Sequence, residues 1–185
     1  MNTQCKTGSL TEAWVAERIT ALGLNVRKPV PDRGVDFIVT SPNAPQKELR
    51  LQVKGRGKIQ QNKKYRWFQI RTTKKQRDEA LKAGLSPSEA WRKKVELADI
   101  FIFVAEMHQE FWIFHRSEIE ELINANRPKH GNRNDNKTGR QAEIDLDVTD
   151  SEGIALSAKH KGYLNNWGLI TMFFSESAGD VNRTQ

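Results

Sequence analysis

The run DIFIFVAE at 99–106 constrains this chain more than any other segment. Six apolar residues follow one another between two carboxylates, so neither side of the segment is written for water. A run of this length, rich in β-branched and aromatic residues, reads as a central strand buried on both faces. Such a strand needs neighbours along both edges and further layers above and below. The expected class is therefore α/β (α+β), with a mixed central sheet flanked by helices.

The rest of the sequence supplies the other pieces. LTEAWVAERITAL at 10–22 has helical periodicity, with Leu10, Trp14, Ile19 and Leu22 near one stripe and Val15 beside it. Ser9 fits its N-cap, Glu12 completes a capping-box pattern, and Gly23 suits the stop. Short strands are expected at 24–30, 35–40, 48–54, 65–72 and 110–115, with a further alternation at 143–149. Pro29 and Pro31 place the end of the first at an edge or in a turn. SPNAPQ at 41–46 is turn chemistry. Residues 74–97 have a helical pattern broken near GLSPS, where Ser86 and Pro87 suit the start of a second helix. Ser117 suits the cap of EIEELINA, 126–141 reads as a long mobile loop, and LITMFF at 169–174 is another apolar run.

Composition narrows the function classes. One cysteine, Cys5, excludes an intrachain disulfide and suits a reducing cytoplasm. No stretch approaches the ~18 apolar residues of a membrane span, and the first thirty residues lack a signal-peptide core. His108, His115, His130 and His160 are too scattered for a zinc site. No Walker loop, GxSxG elbow or dinucleotide-binding glycine pattern is present. Charge is uneven. Residues 1–94 carry 21 basic and 8 acidic side chains, whereas 95–185 carry 9 and 15. A basic half of this kind points to a polyanion partner.

The chemistry-bearing segment is 31–57. Asp36 lies in the apolar stretch PDRGVDFIV, where a carboxylate is costly unless paired or bound to metal. Within LRLQVKG, alternation puts Arg50, Gln52 and Lys54 on one face and Leu49, Leu51 and Val53 on the other. If 35–40 pairs with 48–54, Asp36 converges with Gln52 and Lys54. A carboxylate, an amide oxygen and an ammonium then share one spot. Mg²⁺, with Mn²⁺ as a substitute, would find oxygen ligands in Asp36, Gln52 and the Val53 backbone carbonyl. Such an ion activates water against a phosphodiester, and Lys54 offsets charge developing on phosphate. The plain alternatives are an Asp36 paired with Arg33 or Lys54, a hydrogen-bonded Gln52, an exposed sheet lysine, and a Glu12 spent on its capping box.

The ordered set Gly8-x-x-x-Glu12, Asp36 in PDRGVDFIV, and Gln52-x-Lys54 in LRLQVKGRG resembles the PD-(D/E)XK nuclease superfamily. It is especially similar to the branch holding small intron-encoded homing endonucleases, which also carries Gln where most members have Glu. ADIFIFVAE, EFWIF and SEIEEL resemble its later strands and helix. The resemblance covers residues 7–123. It implies a restriction-endonuclease-like core over 1–125, with 126–185 as a basic loop and an extension packed on it. It also implies Asp36 and Gln52 at a metal, Lys54 as a catalytic residue, and Glu12 touching the metal directly or through water. Gln in place of Glu removes a negative charge, so divalent affinity should be weak without DNA. Glu48 and Glu17 could compensate, although Glu48 lies at the strand's far end.

Residues 54–77 hold ten Lys or Arg and no acid, with Tyr65, Trp67 and Phe68 interleaved. Arg56, Lys58, Lys63, Lys64, Arg66, Lys74 and Lys75 are the expected phosphate contacts. If 65–72 is a strand, one of Trp67 and Phe68 must turn into the core. The expected function is a metal-dependent DNA endonuclease, restriction-like, homing-like or junction-resolving. One site per chain and two strands to cut imply a homodimer or larger homo-oligomer. The competing expectations are an inert nucleic-acid-binding protein with a degenerate nuclease core, and a protein adaptor using the acidic half.

Overall fold

The computed structural model describes residues 3–30, 34–56, 65–85, 90–125, 141–147 and 161–175. The chain divides into two compact units. The first comprises Met1–Gly57, Ala98–His115 and Tyr163–Gln185; the second comprises Lys58–Leu97 and Arg116–Gly162. Of the segment 126–185, residues 141–147 thus belong to the second unit and 163–175 to the first.

The first unit is built on a five-stranded mixed sheet in the order β1-β2-β3-β5-β6. Its strands are β1 (Asn25–Arg27), β2 (Phe37–Ser41), β3 (Ala44–Arg56), β5 (Ile100–Ala105) and β6 (Glu110–His115). All neighbours are antiparallel except β3 and β5, which are parallel from Leu51↔Ile100 to Arg56↔Ala105. The expected α+β class and the expected hairpin pairing are both present. β1, where the prolines follow, is an edge strand. The β2–β3 turn is tighter than the sequence implied: Ser41 already pairs with Ala44, and the Ser41 hydroxyl accepts from the Asn43 N–H at 3.2 Å.

The apolar run at 99–106 forms β5, buried at all six positions and flanked by β3 and β6. Ile100, Ile102 and Val104 join Leu49, Leu51, Val53, Phe37, Val39, Phe111 and Ile113 in one core. Two helices contribute to that core. Helix α1 (Thr3–Ala21) supplies Val15 and Ile19, and helix α5 (Gly168–Ser175) supplies Ile170 and Phe174. Phe101, Phe103 and Phe114 are also fully buried. Phe103 meets Phe114 edge-on at 6.0 Å, and Tyr163 stacks on Phe114 at 4.3 Å. The outer edge of β6 is not bare. Ile113 N–H donates to the Tyr163 carbonyl at 2.9 Å, and Asn165 N–H to that of Phe111 at 2.6 Å.

Helix α1 differs from the sequence reading in two ways. It begins at Thr3, so Ser9 and Glu12 lie inside it, past any N-cap position. Gly8 is the only strong breaker in its first turns, and one internal glycine costs about 1 kcal/mol, too little to stop a packed helix. The buried stripe is Thr11, Val15 and Ile19, while Leu10 and Leu22 are about two-fifths exposed. The helix is turned so that a threonine meets the sheet, and Gly55 explains why. A Cβ on Gly55 would lie 2.7 Å from Thr11 Cγ2 and 2.9 Å from Thr11 Cβ. The helix therefore rests on bare β3 backbone. At its other end Gly23 sits at φ 76°, and Leu24 N–H reaches back to the Ile19 carbonyl at 3.4 Å, closing a Schellman cap.

Arg50 and Asp99 fasten β3 to the entry of β5. Asp99 accepts from the Arg50 backbone N–H at 2.9 Å, from Nε at 3.1 Å and from Nη2 at 2.6 Å. Asp99 N–H returns a bond to the Arg50 carbonyl at 2.8 Å. Hydrogen bonding to Asp99 raises the Arg50 pKa above its ordinary value, against burial, which opposes the charge. A raised cation pKa stabilises the fold at every pH below the unfolded value, so Arg50 contributes no loss of stability around neutrality.

The second unit contains β4 (Tyr65–Arg71) and β7 (Gln141–Asp147), paired antiparallel, with helices α2 (Lys74–Lys82), α3 (Ala90–Val95) and α4 (Arg116–Ala125). Phe68 and Ile70 are buried, which fits the expectation that one of Trp67 and Phe68 turns inward. Helix α2 opens with a complete capping box between Thr73 and Gln76. Helix α4 starts at Arg116, directly on leaving β6, so Ser117 lies inside it rather than before it. The expected cap at Ser86 and residues 126–140 of the loop expected at 126–141 lie outside the described residues, while Gln141 already begins β7. No helix among the described residues is long and apolar enough to cross a membrane.

Two stability outcomes follow from these contacts. Gly55→Ala should cost about 1–3 kcal/mol by forcing α1 off the sheet. Thr11→Ala in the same chain should recover part of that loss in urea unfolding. Asp99→Ala should cost about 1–2 kcal/mol, the pair being partly exposed. A loss under about 0.5 kcal/mol would show that the pair does not fasten the strands.

Candidate active site

The site forms where β2 stops and β3 continues. Phe37 pairs with Leu51, and the Asp36 N–H still donates to the Leu51 carbonyl at 2.8 Å. Beyond that point the backbone of β2 turns away. The next β3 donor on that edge, the Val53 N–H, is taken by Asp36 Oδ2 at 2.6 Å. A side chain thus replaces the strand partner. Alternation along β3 turns the Val53 carbonyl to the same edge.

Register sets the side chains. Phe37, Leu51 and Val53 belong to the core, so Asp36, Gln52 and Lys54 alternate to the other face. The strand register therefore places Asp36, Gln52 and Lys54 on one face, with the Val53 backbone bonded to Asp36 at the same edge. Gln52 is 1% exposed and Lys54 is half-buried. Gln52 Nε2 donates to the Gly34 carbonyl at 2.7 Å. That bond fixes the orientation of the amide, because only the nitrogen end can donate to a carbonyl. Among the described residues, Gln52 Oε1 is left buried without a hydrogen-bond partner. An orphaned buried acceptor costs ~1–3 kcal/mol unless a donor or a cation meets it.

These donors fit a hard divalent cation. Asp36 offers a carboxylate, Gln52 a buried amide oxygen and Val53 a backbone oxygen, the ligand types Mg²⁺ and Mn²⁺ take. Among the described residues, no three His, Cys, Asp or Glu side chains form a group that could hold a metal.

Glu12 stands apart in its bonding. It lies one residue beyond Thr11, the contact of α1 with Gly55, yet its carboxylate accepts from Lys28 Nζ at 2.8 Å. Lys28 also lies over the Phe37 ring, 5.8 Å from its centroid. Sequence reasoning did not single out Lys28, whose link to Glu12 is made across 16 residues. It also passed over Gly34, although a glycine just before a strand is a visible signal for a special backbone angle. Of the two carboxylates considered as compensation for Gln52, Glu48 is bound to Arg27 at 2.5 Å and Glu17 is exposed on α1.

The expected phosphate contacts are distributed. Arg56 ends β3 two residues after Lys54. Arg66 lies in β4 of the second unit, in register with Leu146. Lys74 and Lys75 open α2 and are exposed, with Lys75 3.8 Å from Glu79. Lys58, Lys63 and Lys64 lie outside the described residues.

No family model and no curated protein matches this sequence. Among solved structures, the chain is similar to a bacterial homing endonuclease, I-Ssp6803I, with a TM-score of 0.57 and 16% sequence identity. The match covers 96% of this chain and 99% of that one, so both units take part in it. At this identity the likeness establishes the fold alone: the described residues form an α+β architecture with a nuclease-like core.

Proposed function

We propose that this protein is a divalent-metal-dependent endonuclease of the PD-(D/E)XK type, hydrolysing phosphodiester bonds in DNA. The observation that carries the reading is the buried, unpartnered Gln52 Oε1 beside Asp36 and Lys54 on one sheet face. The nuclease-like fold supports it.

Asp36, Gln52 and the Val53 carbonyl would hold Mg²⁺ or Mn²⁺, with Glu12 joining them on release from Lys28. A bound cation supplies Lewis acidity toward a phosphate oxygen and lowers the pKa of a water it carries. The chain's own residues do the rest. Asp36, anchored through Oδ2 on Val53 N–H, keeps its carboxylate in place before substrate arrives. Lys54 presents an ammonium to the phosphate and offsets charge as water attacks phosphorus and the leaving oxygen departs. Arg56, Arg66, Lys74 and Lys75, with Lys58, Lys63 and Lys64, bind the DNA backbone as point charges. One site serves one strand, so we propose a homodimer or larger homo-oligomer, acting in the cytoplasm.

Asp36 and Lys54 bring one negative and one positive charge, so a free cation gains little from them. The negative charge that completes the site comes from the scissile phosphate. Metal and DNA should therefore bind cooperatively, each raising the other's affinity by the same factor. Calorimetric titration of Mg²⁺ with and without an uncleavable duplex measures this directly, and equal affinities would contradict it.

Cleavage of supercoiled, linear and branched DNA in Mg²⁺, Mn²⁺ or EDTA tests the reading as a whole. Cutting should require metal and fall by ~10²-fold or more in Asp36→Ala and in Lys54→Ala. Cutting that survives both substitutions would refute the assignment. Binding without cutting in either metal would favour an inert nucleic-acid-binding protein. DNA affinity should drop by about 10²-fold or more between 50 and 200 mM salt; a flat response would remove the basic residues from the interface.

A further inference from the structure

Position 52 is held at both ends of one amide. Nε2 is spent on the Gly34 carbonyl at 2.7 Å, and Oε1 is buried with no partner. Gly34 presents that carbonyl from a backbone with φ 95°, open to glycine and strained for any residue with a Cβ. We propose that Gly34 is a positioning residue for the cation site, and that its carbonyl makes position 52 selective for an amide over a carboxylate. The inference rests on the metal-site reading above.

The argument is one of donor and acceptor types. A carbonyl oxygen only accepts, and the carboxylate of a Glu at 52 would bring only acceptors to meet it. Two oxygens facing each other at the length of a hydrogen bond, with no proton between them and water excluded, repel. The carboxylate would swing away from Gly34 and carry its second oxygen off the position that Oε1 now holds. Charge counting alone gives the opposite expectation, because a second carboxylate should tighten divalent binding. The two accounts therefore predict opposite orders for Gln52→Glu.

The Gln52 side chain can be observed without metal. In ¹⁵N-labelled full-length protein, its NH₂ pair should exchange slowly with water and be identified by its loss in Gln52→Glu. Gly34→Ala should shift that pair toward the position of a solvated amide. It should also raise the Mg²⁺ concentration needed for half-saturation at least tenfold, followed at the Asp36 and Val53 amides. Gly23→Ala is the control for strain: Gly23 also has positive φ, at 76°, with nothing within 4 Å of an added Cβ. It should lower the melting temperature yet leave the Gln52 pair and the Mg²⁺ titration as in wild type. Gln52→Glu should bind Mg²⁺ no more tightly than wild type and melt lower in EDTA. Tighter Mg²⁺ binding by Gln52→Glu with unchanged melting would overturn the proposal, as would a Gln52 pair unmoved in Gly34→Ala. If Mg²⁺, titrated to saturation with an uncleavable duplex bound, shifts no resonance of Asp36, Gln52 or Val53 in wild type, the metal reading fails, and the positioning role for that site falls with it. The metal-free Gln52 signal would still report whether Gly34 holds the amide.

Discussion

Everything at the site depends on β3 outrunning its partner. β2 spans five residues and β3 thirteen, so the second half of β3 has β5 on one side and no β2 backbone on the other. An unpaired strand edge inside a protein is costly unless its N–H and C=O groups are met. Asp36 meets one of them through its side chain. The carboxylate is thereby fixed by the same ladder that fixes the sheet, and Gln52 and Lys54 follow in register on the same face.

The second support is the close approach of α1 to that strand. Thr11 lies against Gly55 with no side chain between helix and backbone. Gly55 follows Lys54 in β3, and Glu12 follows Thr11 in α1, so one contact sets the spacing between two candidate functional residues. The Glu12–Lys28 ion pair occupies the carboxylate in this state of the protein.

The sequence made much of this legible where a single periodicity ruled. The unbroken run of β5 and the clean alternation of 48–54 each admit one reading, and the hairpin that joins Asp36 to Gln52 and Lys54 follows from them. What escaped was decided by tertiary contact. Helical periodicity favoured Leu10 and Leu22 over Thr11, because no local pattern reveals a glycine 44 positions away that admits the helix. The capping box at Ser9 was locally sound but was overridden by a helix that starts at Thr3. The Gly34–Gln52 bond depends on a left-handed backbone angle, which the sequence marks only as one glycine among twelve.

The path of the chain through the first unit has a consequence for its synthesis. The sheet is interrupted twice, after Gly57 and after His115, and is completed only at Tyr163–Phe174. Until that last piece emerges from the ribosome, β6 has no cover on its outer edge, and the core lacks Ile170 and Phe174. A nascent chain halted before residue 163 would display an open, apolar edge strand, the template from which intermolecular pairing grows. The segment Tyr163–Phe174 thus guards that edge as well as filling the core, and it is made after every strand of the sheet it covers.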